Sequence, residues 1–388
     1  MSSNGEFIRL ETIGRRTGRP HTVLLRFIAV DNRVVVFPGK GSVQDWVQNI
    51  RTDPHVRVHA GGSVMEGTAS LRSVTGLRDP ILSIFTRKYG DKVVRGGYWG
   101  QTEYIQVELG ATVSTESRND LVYSDLEAAF DGVAEDYDHH IFGNPVNLWL
   151  RNRSLAVMLQ LFRPGQTVLE VGCGTGTETL SMARRGVKVV AVDVSSKMLD
   201  VLERKAAAEG LGDMVIPVHS RPYRIASDLS DRGFPTVDGA YSTYGAVNTD
   251  PRLPDFFQNL HSVVKPGGRL VLGVWNRYCL FEMVGYGLKG NYSMAGARFR
   301  NPVPVGRSRF CVASNAFSVS EVSQMLSGLF KQERTYGVCV FLPPSNLTKY
   351  LPPGGLASFA KRADAALAAS FPWNRLGDHF LGVYRRVS

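Results

Sequence analysis

The stretch Thr167-Val168-Leu169-Glu170-Val171-Gly172-Cys173-Gly174-Thr175-Gly176 decides how the chain reads. Val168, Leu169 and Val171 make a short apolar run of the kind found in buried parallel strands. Three glycines at alternate positions follow, and a helical pattern runs from about Glu178 to Arg185. A strand that enters a helix through glycines lets a ligand approach the backbone N–H groups at the helix N-terminus. The next apolar strand, Lys188 to Val192, ends in Asp193. It lies 21 residues after Gly172, where a carboxylate can accept hydrogen bonds from both hydroxyls of a ribose.

Spacing separates two ligand classes. A dinucleotide pyrophosphate asks for G-x-G-x-x-G. This loop is G-x-G-x-G, with Glu170 two residues before the first glycine. A carboxylate there would repel a pyrophosphate and suits a cationic aminoacyl sulfonium. The stretch resembles motif I of class I S-adenosylmethionine (SAM) methyltransferases; the plain alternative is a glycine-rich turn without a ligand. By that resemblance Glu170 orients the aminoacyl end of SAM, Gly172, Gly174 and Gly176 admit it, Asp193 holds the ribose, and Val194 and Met198 lie near the adenine. Tyr137, within Phe130–His140, takes the place of a tyrosine that contacts the cofactor from a segment over its mouth. Family members often carry an acidic residue after the third strand to bind the adenine. Here His219, Ser220 or a backbone group must serve.

The rest of this half follows the same pattern. Asn147–Leu161 reads as an amphipathic helix, Ser195–Glu209 as a helix capped by Ser195 or Ser196, and Met214–Val218 as the third strand. Val237 begins the fourth strand, whose exit carries Tyr241, Tyr244 and Asn248. These are candidates to line the cofactor and methyl-transfer site, with simple packing as the alternative. His139 and His140 are candidate general bases, since imidazole titrates near neutral pH; solvated surface histidines are the bland reading. The turn Lys265-Pro266-Gly267-Gly268 leads into a fifth strand, Arg269–Trp275. Asn276–Arg300 looks too irregular for a simple helix and reads as a substrate cap. Val338–Leu342 and His379–Arg385 read as an antiparallel edge hairpin, with a helix at about Leu356–Ala369 between them.

Residues 7–110 are β-rich. Thr22–Val30 and Arg33–Phe37 flank an Asp31-Asn32 turn, Val56–His59 and Ser63–Leu71 flank Gly61-Gly62, and Tyr104–Leu109 closes the set. A short helix is expected at Ser42–Arg51, capped by Ser42. Two basic loops, Gly14-Arg15-Arg16-Thr17-Gly18-Arg19-Pro20 and Gly39-Lys40-Gly41-Ser42, suit a phosphate through guanidinium forks and a helix N-terminus. Solvated hairpin loops are the alternative. These loops, with Asp45-Trp46-Val47-Gln48-Asn49-Ile50 and Asp53-Pro54-His55-Val56, resemble the deazaflavin-dependent nitroreductase family. That likeness implies a split β-barrel and coenzyme F420 (or a flavin such as FMN) held near Arg16, Arg19, Lys40 and Gly41, with Trp46 and Asn49 supporting the site. Val47 departs from the family, where a tyrosine is common.

Composition sets the bounds. At 388 residues the chain is long enough for two domains. No apolar run approaches the roughly 18 residues of a membrane span, and the N-terminus does not read as a signal peptide. The four cysteines are scattered without a C-x-x-C pair, so neither a metal site nor a disulfide framework is expected and a reducing cytoplasm fits. The net charge of +10 is spread without a basic tract, which argues against nucleic acid as a partner. The expected architecture is therefore a split β-barrel at 1–110, a polar linker at 111–125, and a doubly wound, seven-stranded Rossmann-like α/β methyltransferase domain at 126–388. The partner is a small-molecule methyl acceptor. Two other roles stay open for the barrel: an F420-dependent reductase coupled to the methyltransferase, or a non-catalytic module that binds or forms a homodimer.

Overall fold

The computed structural model describes residues 7–30, 33–38, 44–60, 63–74, 80–89, 103–112, 115–300, 303, 314–351 and 354–387. The chain divides into two compact units, Met1–Asp125 and Leu126–Ser388.

In the first unit β1 (Phe7–Ile13), β2 (Pro20–Val30), β3 (Arg33–Val36), β4 (His55–Ala60), β5 (Ser63–Ser73) and β6 (Glu103–Thr112) close an antiparallel barrel in the order β1-β2-β3-β6-β5-β4. Alternation along the strands sends Leu10, Val34, Val36 and Val58 inward, where they meet Trp46, Val47 and Ile50 of the helix Asp45–Thr52. β3 reads as a continuous apolar run because its other face is covered as well. Val35 packs there with Ile28, Phe37 and Phe85, the last from the helix Pro80–Tyr89. β1 escapes sequence reading because Glu11 interrupts its apolar pattern. That carboxylate is buried and paired with Arg57 at 2.9 Å.

The expected helix at Ser42–Arg51 starts instead at Asp45, with Gln44 in the N-cap position, where its side chain accepts from Trp46 Nε1. Ser42, Gly39, Lys40 and Gly41, and the turns Asp31-Asn32 and Gly61-Gly62, lie outside the described residues. The stretch 111–120 is not an aperiodic connector. β6 runs to Thr112, and a helix, Thr115–Asp131, crosses the boundary between the units. Its Thr, Ser and acidic residues suit a helix start as well as a loop.

The second unit is a seven-stranded sheet. Its strands are β7 (Thr167–Val171), β8 (Lys188–Asp193), β9 (Val215–His219), β10 (Val237–Ser242), β11 (Val264–Trp275), β12 (Phe330–Val338) and β13 (His379–Arg386). They lie in the order β12-β13-β11-β10-β7-β8-β9, with β13 antiparallel to both of its neighbours. Helices cover both faces over two separate apolar cores. From β7 the chain steps outward to β8 and β9, then returns to place β10 on the other side of β7. The carboxyl ends of β7 and β10 therefore form a switch point, where open α/β sheets bind their ligands.

Two expectations need correcting. The edge strand is Phe330–Val338, not Val338–Leu342. Val338–Leu342 is apolar because it turns into the core, with Cys339 at φ +56° and the Asp364 carboxylate accepting from the backbone N–H groups of Cys339, Val340 and Phe341. The true strand is masked by exposed Lys331, Gln332, Glu333 and Arg334. The Lys265–Gly268 turn lies inside β11 rather than before it: pairing skips from Val237↔Val264 to Gly239↔Arg269, so those residues bulge out. Asn276–Arg300 is, as expected, no single helix: it breaks into helices at Leu280–Leu288 and Tyr292–Ala295 and a 3-10 turn at Ala297–Phe299.

Candidate functional site

The glycine loop stands at the carboxyl end of β7. Gly172, Gly174 and Gly176 have φ of +77°, +53° and +83°, a region that L side chains rarely adopt. Sterics add to this at two of them. A Cβ on Gly172 would stand 2.8 Å from Ala246 Cβ, and one on Gly176 would stand 2.1 Å from Leu202 Cδ1. Gly176 then opens the helix Thr177–Ala183.

Asp193 ends β8 and is tied into this loop. Its Oδ2 accepts from Gly174 N at 2.8 Å and its Oδ1 from Ser195 N at 2.9 Å. The backbone N–H of Val194 also reaches this carboxylate. Burial holds the Asp193 carboxyl above its ordinary value despite these amides. Ser195 caps the helix Ser196–Ala208 and places the buried Met198 beside Ala134 and Val201. Val194 offers its carbonyl to His219 Nε2 at 3.0 Å. Ser220 is buried, and its hydroxyl lies 2.6 Å from Asp228 Oδ2.

Glu170 lies beneath the loop. Its Oε2 accepts from the Thr179 hydroxyl and, at 2.8 Å, from Tyr241 OH. Burial first, and the neighbouring Glu178 second, push its carboxyl up to about 8. Tyr241 is fully buried with its ring on Phe162, so it serves as a prop for Glu170. Tyr244, at φ +61°, donates to the Leu150 carbonyl at 2.6 Å. Asn248 spends its amide on the backbone of Trp275 and Asn315, and thereby ties down the end of β11.

Tyr137 stands beside Gly174 of the loop. Its ring is 3.8 Å from where a Cβ on Gly174 would stand, and burial pushes its phenol up. The helix Tyr137–Phe142 is clipped to the loop: Asp138 accepts from Thr175 Oγ1 at 2.5 Å and from Lys205 Nζ at 2.7 Å, while Lys205 also donates to the Thr175 carbonyl. His139 faces solvent, and the His140 side chain lies outside the described part of the chain.

Two groups near this edge were not found from sequence. Arg151 and Glu178 form a buried ion pair through Glu178 Oε2, whereas Glu178 Oε1 is buried without a partner among the described residues. The Arg151 guanidinium lies 5.9 Å from the Tyr244 ring. His379 meets the same ring edge-on at 5.3 Å, and its Nδ1 lies 3.1 Å from Asp378 Oδ2. Arg151, Tyr244 and His379 thus link the glycine loop to the start of β13. No local motif announces Arg151 and Glu178, which meet only when their two helices pack, and the neighbours Asp378 and His379 stand out only once His379 meets Tyr244.

In the barrel, Arg16 and Arg19 are exposed on the turn between β1 and β2, and neither side chain has a hydrogen bond or ion pair among the described residues. Arg15 instead fixes the turn to the helix, donating to Asp45 Oδ1 at 2.8 Å and to Asn49 Oδ1 at 3.1 Å. Asn49 passes the link on to Thr12 Oγ1, and Trp46 is buried in the barrel core.

Comparison with known proteins finds one family match in each unit. Residues 168–268 match the methyltransferase domain family, and residues 2–89 match the F420H2-dependent quinone reductase family. A demethylmenaquinone methyltransferase of Symbiobacterium thermophilum is 32% identical over 147 residues, which cover 37% of this chain and 55% of that protein. A tRNA 5-carboxymethoxyuridine methyltransferase of Escherichia coli is 31% identical over 156 residues, covering 39% of this chain and 58% of that one. The chain thus spans a little over half the length of these curated relatives. Among solved structures, a 1,6-didemethyltoxoflavin N1-methyltransferase of Burkholderia thailandensis aligns with TM-score 0.43 and 15% identity, over 72% of this chain and 93% of that one.

Proposed function

With a methyltransferase domain following a domain of the F420H2-dependent quinone reductase family, we propose that the chain reduces and then methylates a small acceptor of the quinone class. The names of the matched families and of the demethylmenaquinone relative support that acceptor class.

The glycine loop carries the methyltransferase half of this reading. Its residues fit an aminoacyl sulfonium. The buried Oε1 of Glu178, without a partner among the described residues, suits the ammonium, the N–H groups opening the helix at Gly176 suit the carboxylate, and the Asp193 carboxylate at the end of β8 suits the ribose. In the barrel Arg16 and Arg19 fit an anionic cofactor tail, while Trp46 and Asn49 hold the helix behind them. Bound SAM supplies an electrophilic methyl group, and bound F420H2 supplies a hydride.

Chemistry sets the order. A quinone ring is electron-poor, whereas its reduced form is a nucleophile toward a methyl cation equivalent, so reduction precedes methylation. Methylation at carbon or oxygen releases a proton from the acceptor. His379 accepts it, held in one tautomer by donating Nδ1–H to Asp378.

Calorimetry with SAM tests the site. Asp193→Asn sets an amide NH2 against the N–H of Gly174 or Ser195, and SAM affinity should fall by about 2–3 kcal/mol, roughly 30–150-fold. Wild-type affinity in that variant would refute the assignment. Incubation of the full chain with SAM and a short-tailed quinone, read by mass spectrometry, tests the order of steps: the methylated product should require F420H2. His379→Ala should lower kcat by about 10²–10⁴-fold and leave SAM affinity unchanged. A variant with full turnover removes His379 from the reaction.

A further inference from the structure

Beyond β11, the C-terminal unit carries a surface that its core does not explain. The helices Leu280–Leu288 and Tyr292–Ala295 leave Leu288 85% and Tyr292 76% exposed, with Val284 and Met294 also outside. This segment meets a second one at Tyr350, itself exposed. Lys289 Nζ donates to Tyr350 OH at 3.0 Å, and Lys349 Nζ lies 5.0 Å from the ring centroid. A few residues farther along the chain, in the helix Gly354–Leu367, Leu356 and Phe359, one helical turn apart, are both more than 60% exposed. Single exposed apolar side chains are ordinary; this many on two touching segments mark a contact surface.

The charge on these segments is one-sided. Between residues 279 and 300, and between 345 and 375, the acidic residues are Glu282 and Asp364 alone. Both are buried and used internally, Glu282 by Arg298 at 2.7 Å and Asp364 by backbone N–H groups. The exposed charges there are Lys289, Arg300, Lys349, Arg362 and Arg375. Exposed apolar side chains and cations on the same two segments, with no exposed anion among them, complement an anionic lipid surface, into which the apolar side chains insert while the cations meet the phosphates. A protein partner would more often bring side chains of both signs. Among the described residues no helix is long and apolar enough to cross a membrane.

We propose that this face seats the methyltransferase domain on an anionic phospholipid bilayer. The proposal stands on the surface itself. It draws on the quinone reading only to suggest why the enzyme would go there, since a lipophilic acceptor resides in the bilayer.

Co-sedimentation of the full chain with vesicles tests it. Binding is expected to vesicles of phosphatidylcholine with phosphatidylglycerol and not to phosphatidylcholine alone, and it should weaken as salt is raised. Lys289→Glu and Lys349→Glu should each weaken binding at least about fivefold. Leu288→Asp with Tyr292→Asp should abolish it. All of these side chains are exposed, so melting temperature and SAM affinity should stay at wild-type values, which separates lost docking from lost folding. Equal binding to neutral vesicles, or none to either, overturns the proposal. So does a wild-type dimer in light scattering that Leu288→Asp converts to monomer without any vesicle binding, since the face would then join two copies. Vesicle binding by a chain that fails to bind SAM would overturn the methyltransferase reading and leave this one standing.

Discussion

Arg298→Met is expected to destabilise the C-terminal unit by about 3–5 kcal/mol, the cost of leaving buried carboxylates without their cation. The Arg298 side chain is only 4% exposed. It donates to Glu282 Oε2 at 2.7 Å, to Asp378 Oδ1 at 2.5 Å, and to the carbonyls of Asn276 and Asp378 at 2.9 Å. Its guanidinium also lies 4.7 Å from the Trp275 ring centroid. Methionine keeps the volume and loses every one of these bonds. For a domain of this size the loss corresponds to roughly 6–20 °C in melting temperature. The pH dependence gives a sharper check. Burial raises the Asp378 carboxyl, but Arg298 and His379 outweigh it and hold the group well below the usual carboxylate range. Its contribution is therefore complete above the unfolded value near pH 4 and is lost as pH falls through the folded value. Without Arg298 the burial effect dominates, the folded value moves above the unfolded one, and the sign reverses. The gap between variant and wild type should then narrow as pH falls from 7 toward 4. Thermal melts showing the same gap at both ends would mean that lost packing, not stranded charge, sets the cost.

What could be read from sequence follows the range of the interactions. The glycine loop is local: an apolar strand, three positions at positive φ and the strand ending in Asp193 form one βαβ unit, and a capped helix follows directly. The switch point follows from the order of such units. Long-range polar partners leave no such trace. Arg298 and Asp378 are 80 positions apart, and Arg151 and Glu178 sit on different helices, so each reads as an ordinary surface charge until the sheet brings them together. Asn248 illustrates the converse. Its place at the exit of β10 made it a candidate for the acceptor site, yet its amide is consumed by backbone groups that only tertiary structure supplies. The misplaced edge strand has the same cause. The apolar run at Val338–Leu342 is buried by a turn that Asp364 stabilises from 24 residues away, and no periodicity encodes that.

Glu170 offers the second large effect, in which site and stability share one proton. With its carboxyl pushed up to about 8, the folded value lies well above the unfolded value near 4.3. The neutral form is the one the folded chain prefers. The associated stability is complete below the unfolded value and is lost as pH rises through about 8. Glu170→Gln removes that slope, because its amide oxygen can still accept from Thr179 and Tyr241 and it has no charge to bury. The variant should match wild type near pH 5 and exceed it near pH 9 by a difference on the order of a few kcal/mol. The same proton should report on ligand binding. A sulfonium and an ammonium entering above Glu170 favour its charged form and lower its pKa, so SAM binding near pH 7 should release a fraction of a proton. Calorimetric enthalpies would then differ between phosphate and Tris by that fraction of the difference in buffer ionisation enthalpy. The difference should vanish in Glu170→Gln. If wild type shows no buffer dependence while SAM binds, Glu170 is already ionised or stands too far from the cationic groups to sense them. Its role would then be the structural one of holding Thr179 and Tyr241 beneath the loop.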